Sequence, residues 1–416
     1  MRDNAAIITN VLANLLYQLK KPYHWFKTGW LKGLPAAIKY GFPARKLKII
    51  AITGTDGKTT TTTLLYHILK AGGKRVALIS TVAAYIGDQE IETGLHVTTP
   101  EADQLQKLMA QMVKEKIEYL VLEFTSHGAY QSRLFGIKPK ITGVTNITHE
   151  HLDYHVTYQN YLEAKLSFIN QAKTVVLNRD DQSFFRLKKH LPSRQYHILT
   201  YGLDDTLPKI ITQAIKNRFP EIYNHSNARL AVTIARFLKL DKAAIATAIS
   251  NFPSVPGRMQ FVPNKQGIEV VVDFAHTPQA LSEALSSLRR RLNRSRNRGK
   301  LIAVFGCAGL RDRAKRPMMG QIGVDQADLA VFTAEDPRTE DIWTIIRQMK
   351  EQLTTGHHKI VTLTDRHQAI EFALTKLAKK GDIVGIFGKG PEKSMCYGTI
   401  EKPWSDLAEV KKCLKT

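Results

Sequence analysis

The feature that most constrains this 416-residue chain is the loop Gly54-Thr55-Asp56-Gly57-Lys58-Thr59-Thr60, set between an apolar run and a helical pattern. Residues 49–52 read as a buried strand and residues 59–71 as a helix. A glycine-containing loop in that place lets backbone N–H groups approach phosphate oxygens at a helix N-terminus. Lys58 then reaches the terminal phosphates, and the Thr59 hydroxyl faces a Mg²⁺ ion. Ile52 occupies the first glycine position of G-x-x-x-x-G-K-T, so the loop is a shortened variant. The spacing predicts an ATP site.

The alternation continues. Residues 76–80, 119–124, 141–145 and 174–177 read as further buried strands, with helices over 101–116 and 158–171. Short β-branched runs separated by helices indicate an α/β fold with a parallel sheet covered on both faces. The stiff segment Pro253-Ser254-Val255-Pro256-Gly257 marks a domain joint. Beyond it the pattern restarts, with strands over 270–274, 301–305, 329–332, 360–363 and 383–387. Three cysteines, Cys307, Cys396 and Cys413, are too few and too scattered for a disulfide framework and suit a reducing, cytoplasmic location. No run of 18 apolar residues exists to cross a bilayer.

Charge is the unusual part of the composition. Sixty Lys and Arg against 37 Asp and Glu give +23, which favours anionic partners. Residues 1–48 hold nine of the basic residues and a single acid, Asp3. Within them Ile8, Val11, Leu12, Leu15, Leu16 and Leu19 recur at helical spacing, before Lys20, Lys21, Trp25, Phe26 and Trp30. The segment 1–47 therefore reads as a short basic amphipathic helix with an aromatic-rich end. Its stripe is expected to pack on the body of the protein, with peripheral membrane contact as the alternative. Asn10 and Asn14 disfavour a signal peptide. The basic cluster 289–300 reads as a solvated loop.

Besides the shortened loop, Thr98-Thr99-Pro100, Glu123-Phe124-Thr125-Ser126-His127-Gly128, Thr145-Asn146-Ile147-Thr148, His151-Leu152-Asp153-Tyr154-His155 and Tyr161-Leu162-Glu163-Ala164-Lys165 resemble, in order, the motifs of the Mur ligase superfamily. Past the joint come Gly257-Arg258-Met259, Val272-Asp273-Phe274-Ala275-His276, Phe305-Gly306-Cys307-Ala308-Gly309, Glu335-Asp336-Pro337-Arg338 and Gly388-Lys389-Gly390-Pro391-Glu392. The resemblance implies a central P-loop-type ATPase domain with a parallel sheet over 48–253, followed by a smaller Rossmann-like domain over 254–416. It implies an ATP-dependent ligase that activates a carboxylate as an acyl phosphate and joins it to an amine. The set of motifs is most similar to the members that add diaminopimelate or lysine to UDP-MurNAc-L-Ala-D-Glu in peptidoglycan synthesis.

Residue roles follow from the same resemblance. Gly54, Thr55, Asp56, Gly57, Lys58, Thr59, Thr60 and Asn146 would hold ATP phosphates, and Arg258, Asp273 and His276 its base and ribose side. Thr59, Glu123, His151 and Lys165 would serve Mg²⁺, with Lys165 carbamylated by CO₂ so that an anion, not an ammonium, faces the metal. Lys58, Lys165 and His151 would carry catalysis. A zinc site at His149, His151 and His155 and satisfied structural histidines are the competing readings. Thr98, Thr99 and Ser126 would hold the nucleotide-sugar peptide, and Arg311, Asp336, Arg338, Gly388 and Glu392 the incoming amino acid.

The chain departs from the family pattern at Asp336, where D-N-P-R has asparagine, and at Pro391, where G-K-G-H-E has histidine. Asp336 is expected to add a negative charge that favours a distal amine over a distal carboxylate. Only 48 residues precede the first strand, where the family carries a uridine-diphosphate-binding domain of ~100 residues, within the ordinary size range of domains. A different, lipid-linked or polyglutamate-like acceptor therefore stands as the alternative function, and a non-catalytic ATP-binding protein as another. The expected partners are small molecules acting on a monomer, with no nucleic acid, since no reading module accompanies the positive charge.

Overall fold

A computed structural model describes residues 2–414 apart from 88, 92–97, 149, 254, 295–298 and 354; the side chains of 2–11 and 153 are not described. His149, Ile8 and Val11, singled out above, thus lie outside the described side chains. The chain divides into two compact units, Met1–Pro253 and Ser254–Thr416.

The first unit opens with helix α1 (Arg2–His24), which runs through a π-helical stretch (Trp25–Gly33) into α2 (Leu34–Lys39). There follow β1 (Lys48–Thr53), α3 (Lys58–Ala71), β2 (Val76–Ile79), β3 (Ala84–Ile86), β4 (Gln89–Ile91), α4 (Ala102–Lys114), β5 (Tyr119–Glu123), α5 (Ser126–Tyr130) and β6 (Ile141–Val144). Next are α6 (Leu152–His155), α7 (Tyr158–Ile169), β7 (Thr174–Asn178), α8 (Phe184–His190), β8 (His197–Tyr201), α9 (Lys209–Arg218), α10 (Ile222–Phe237) and α11 (Lys242–Ser250). Eight strands form one sheet in the order β4-β3-β2-β5-β1-β6-β7-β8. In the order from β2 to β8 neighbours run parallel, while the β2–β3 and β3–β4 pairings at the other edge are antiparallel.

Burial explains the composition of the central strands. Every residue of β5 is buried, as is all of β1 after Lys48, because helices cover both faces of a parallel sheet. Ile49, Ala51, Leu120, Leu122 and Val175 join one core. The connection after β1 runs to β2 on one side, and that after its neighbour β5 runs to β6 on the other. An open parallel sheet has its crevice at such a point, beyond the carboxyl ends of the strands.

The second unit contains β9 (Gln260–Val262), β10 (Glu269–Asp273), α12 (Pro278–Arg294), β11 (Leu301–Phe305), α13 (Lys315–Gln326), β12 (Leu329–Phe332) and α14 (Ile342–Lys350). Then come β13 (Ile360–Thr362), α15 (Arg366–Phe372), β14 (Ile383–Phe387), the hairpin β15 (Ser394–Tyr397) and β16 (Ile400–Pro403), and α16 (Asp406–Leu414). Its six-stranded sheet has the order β13-β12-β11-β14-β10-β9, parallel except for β9. The mixed α/β architecture with two parallel-rich sheets is the one expected.

Two local expectations need correction. The basic cluster is not wholly loop: Arg289 and Arg291 belong to α12 and pair with Asp328 and Glu269 at 2.9 and 2.5 Å. Nor does the apolar stripe of the N-terminal helix face the protein. Leu12, Leu15, Leu16 and Leu19 are exposed, and among the described side chains of α1 the buried one is Tyr17. Its ring stacks on Tyr130 at 4.3 Å, so an aromatic pair takes the place of a leucine seam.

Candidate active site

The loop between β1 and α3 is held from below by the segment after β6. The Asn146 side-chain oxygen accepts from Thr55 N at 3.2 Å and Asp56 N at 2.9 Å, while Thr145 Oγ1 donates to Asp56 O at 2.6 Å. Gly57 takes φ +78°, and a Cβ there would lie 2.0 Å from Asn227 Oδ1, so the turn into α3 admits only glycine. Asn146, expected at the phosphates, is thus engaged in fixing the loop that would bind them. Lys58 curls back, its Nζ donating to Thr55 O at 2.6 Å.

Glu123 ends β5 beside β1, paired in register with Ile52. Its carboxylate is fully buried. Oε1 accepts from Thr59 Oγ1 at 3.1 Å and Thr81 Oγ1 at 2.8 Å, and Oε2 accepts from Thr81 N at 3.0 Å. Thr81 Oγ1 also lies 3.0 Å from Thr98 Oγ1, which links Glu123 to the first of the residues expected to hold substrate. Sequence reading missed Thr81. The signal that marks it is position, since it lies just past the carboxyl end of a parallel strand next to β5.

Thr99 and Ser126 occupy the neighbouring layer. Thr99 Oγ1 accepts from Thr125 N at 3.1 Å, and Thr125 caps α5 by accepting from Gly128 N at 3.1 Å. Ser126 Oγ lies 2.9 Å from His155 Nε2, and His155 Nδ1 lies 2.7 Å from the Tyr17 hydroxyl. Both ring nitrogens of His155 are therefore satisfied, and burial lowers its pKa to about 3. His155 is a structural histidine. His151 differs: it starts α6 in a left-handed conformation, is one-third exposed, lies 3.5 Å from Glu150 Oε1 and packs edge-on to His127.

Lys165 lies on α7 and is buried against the loop. Its Nζ donates to Gly54 O at 2.8 Å and Thr53 Oγ1 at 3.4 Å, over the Tyr161 ring at 4.7 Å. Burial, and then the charge of Lys58, hold its pKa well below the ordinary lysine value; Glu150, Asp56 and Glu123 pull the other way. Tyr161 completes the packing by placing its hydroxyl 2.9 Å from Thr55 Oγ1.

These groups fit a nucleotide-bound Mg²⁺. Among the described residues no set of three or more His, Cys, Asp or Glu converges as a metal cage. Glu123 and the Thr59 hydroxyl supply hard oxygen donors, and Mg²⁺ commonly binds through one or two carboxylates with phosphates and water filling the rest.

The second unit holds its own cluster. Asp273, at the end of β10, accepts from Met259 N at 2.6 Å and Ala275 N at 2.8 Å, and so pins the Gly257-Arg258-Met259 turn; burial raises its pKa. Arg258 stacks over Phe274 at 4.5 Å, and His276 O accepts from Lys315 Nζ at 2.7 Å. Lys389, almost fully buried, donates to Asp336 Oδ1 at 2.8 Å and pairs with Glu392. Asp336 also accepts from Cys396 N at 2.9 Å, and Arg338 reaches Gly309 O at 2.7 Å. Asp336, Arg338, Gly388 and Glu392 are thereby brought together around Lys389, a residue the motif contained but to which no role had been attached. Arg311 is exposed on the turn after β11. The negative charge of Asp336 is compensated by Lys389, which revises the expectation of a free carboxylate.

Comparison with known proteins fits this arrangement. Residues 52–235 match the Mur ligase middle domain, and residues 257–390 match the Mur ligase, glutamate ligase domain. The chain belongs to the Mur ligase family. Relatives include the UDP-N-acetylmuramoyl-L-alanyl-D-glutamate–2,6-diaminopimelate ligases of Clostridium botulinum and Geobacillus thermodenitrificans. The first is 38% identical, over 85% of this chain and 75% of the relative; the second is 35% identical, over 90% and 80%. A solved structure of a ligase of the same name aligns with TM-score 0.57 at 32% identity, covering 89% of this chain and 78% of that one. The Yersinia pestis folylpolyglutamate synthase/dihydrofolate synthase, complexed with AMPPNP and Mn, aligns with TM-score 0.65 at 20% identity, over 86% and 90%, a likeness of fold. Among the described residues of this Mur ligase, no helix is long and apolar enough to cross a membrane.

Proposed function

We infer that this Mur ligase joins diaminopimelate or lysine to UDP-MurNAc-L-Ala-D-Glu with hydrolysis of ATP to ADP and phosphate. In this reading 48–253 is the ATP-binding domain, 254–416 the C-terminal ligase domain and 1–47 an N-terminal segment. The observation that carries it is the convergence of Lys58, Thr59, Glu123 and Lys165 at the carboxyl ends of β1 and β5. The relatives' names supply the substrate class.

The chemistry runs in two steps. A carboxylate oxygen of the glutamate attacks the ATP γ-phosphorus, and the bond to the β–γ bridging oxygen breaks, releasing ADP. The amine then attacks the acyl carbon, phosphate leaves with the C–O electrons, and the amine loses a proton. The loop amides between Gly54 and Thr60 and the Lys58 ammonium hold the migrating phosphoryl group. Thr59 and Glu123 hold Mg²⁺, which when bound screens the crowded phosphate charge. His151, with Glu150 Oε1 at 3.5 Å, is assigned a second ion.

Lys165 is suited to carbamylation because burial favours its neutral amine, the form whose lone pair attacks CO₂; loss of a proton leaves the carbamate anion. Thr98, Thr99 and Ser126 are assigned the nucleotide-sugar peptide. Arg258, Asp273 and His276 are assigned the nucleotide, and Arg311, Asp336, Arg338, Gly388 and Glu392 the incoming amino acid. The partners are these small molecules, with peripheral membrane contact through the N-terminal segment, and the working unit is a cytoplasmic monomer.

The test combines ATP and UDP-MurNAc-L-Ala-D-Glu with diaminopimelate, lysine and other amino acids, following phosphate release and product mass. Tripeptide of the expected mass supports the reading. Ligation only to a lipid-linked or polyglutamate-like acceptor replaces it, and failure to bind ATP removes it.

A further inference from the structure

The N-terminal segment inverts the usual burial pattern. Apart from Tyr17, its buried side is made of small residues: Thr28, Gly29, Gly33, Ala36 and Ala37. A Cβ on Gly29 would lie 2.7 Å from the Phe135 ring, so the backbone itself packs on the body. Its large apolar residues point outwards instead. Leu12, Leu15, Leu16 and Leu19 are each more than half exposed, from 53 to 62%. Phe26 and Trp30 continue that face as a stacked pair, with ring centroids 5.9 Å apart, at 50 and 47% exposure. A monomer in water gains nothing from such a surface, and contiguous patches of this kind mark interaction sites.

Charge selects the partner. Lys20, Lys21, Lys27 and Lys32 are exposed along the same segment, which carries one acid in its first 48 residues. A second copy of this chain docking face to face would set lysine against lysine. An anionic headgroup layer meets the lysines with phosphate, takes aromatic rings at its interface and accepts leucine at the acyl boundary. The helix is not apolar enough to cross, so it would lie in the plane of the surface.

We propose that residues 12–32 form a docking surface for an anionic lipid bilayer. The surface has two sides. Tyr17, on the buried face of α1, stacks on Tyr130 and bonds His155, which in turn bonds Ser126. Docking therefore sets the start of α5 about one helix diameter, ~10 Å, from the headgroups. The proposal does not depend on the ligase reading, because binding is measured without turnover.

The experiment is flotation of the full chain with vesicles of phosphatidylcholine alone, or with about one-third phosphatidylglycerol. Binding at least about tenfold tighter to the anionic vesicles, weakened by ~0.5 M salt, is expected. Leu16→Glu and Trp30→Glu, both at exposed positions, should each lower that binding about tenfold with melting temperature unchanged. Lys20→Gln with Lys21→Gln should lower it by a similar factor. Equal binding to both vesicles, no binding to the anionic ones, or undiminished binding by Leu16→Glu would overturn the proposal. So would a dimer in solution that Leu16→Glu dissolves, since the face would then belong to a second copy. Ligation assayed in parallel on a soluble acceptor reports on the ligase reading alone.

Discussion

The two clusters of charge in this protein are built in opposite ways. In the second unit the charges answer one another: Lys389 lies between Asp336 and Glu392, Arg366 meets Asp406 at 2.7 Å with both buried, and the buried Arg316 pairs with Glu340. At the β1 loop the direct bonds run to uncharged groups. Lys58 and Lys165 donate to the carbonyls of Thr55 and Gly54, and Glu123 accepts from two threonine hydroxyls and an amide N–H. Burying charged groups against uncharged partners is costly, so a protein keeps such an arrangement where a ligand completes it. Phosphates would answer Lys58, and a divalent cation would answer Glu123 together with the carbamate proposed at Lys165. The difference separates a site completed by its ligands from one organised before they arrive.

Substitution at the loop should break this contrast most sharply. Lys58→Ala is expected to lower kcat by about a thousandfold or more, because the lost ammonium acts on charge that develops in the transition state. The fold should survive, since the Lys58 ammonium bonds a carbonyl of its own loop; a variant with wild-type turnover would sink the assignment. Lys165→Ala is expected to cost about a hundredfold in kcat while keeping most ATP affinity. Acetate or formate should partly restore activity by refilling the vacated anion position. Full activity in plain Mg²⁺ buffer would make Lys165 a packing residue only.

His155 offers a titration that is intramolecular and needs no ligand. Its folded-state pKa, about 3, lies below the ordinary histidine value of 6.5, so the unfolded chain takes up the proton first. The stabilisation is complete above pH 6.5 and is lost as the pH falls towards 3. Between pH 7 and pH 5 the loss is about 2 kcal/mol. Comparing unfolding free energies at these two values in wild type and His155→Gln checks it. The variant should show a slope flatter by that amount, and an unchanged slope would place His155 in water.

Sequence reading served the two regions unequally. Central strands were legible because a parallel sheet buried on both faces demands continuous β-branched runs, and 49–52, 119–124 and 301–305 differ from β1, β5 and β11 by a residue or two at most. The β3–β4 and β15–β16 hairpins were not, being three or four residues long with mixed polarity. In α1 the period was visible but not the direction. Hydrophobicity pointed the leucines inwards, whereas packing is made by Tyr17 and, further along, by glycines and alanines that carry no apolar signal. Motif residues such as Thr59, Glu123 and Lys165 could be singled out because their chemistry is specific at its spacing. Thr81 and the role of Lys389 were not, since each acts through neighbours distant in sequence.

The smallest expected effect concerns the organised cluster. Asp336, Glu392, Lys389 and Arg338 sum to zero charge, and Arg338 lies 3.9 Å from Asp336. Asp336→Asn keeps an oxygen that can accept from Lys389 and from Cys396 N, so the geometry should persist while the sum rises to +1. A distal carboxylate on the incoming amino acid then gains and a distal ammonium loses. One unit charge in a partly screened pocket amounts to ~1–2 kcal/mol, so kcat/KM for diaminopimelate relative to lysine should rise about tenfold. Lys389→Met removes a positive charge from the same group and should move the ratio the other way. If the cluster served packing alone, both substitutions would lower kcat/KM for the two amino acids equally and the ratio would stay fixed. Opposite displacements of one ratio by two neighbouring substitutions are what an electrostatic specificity pocket requires.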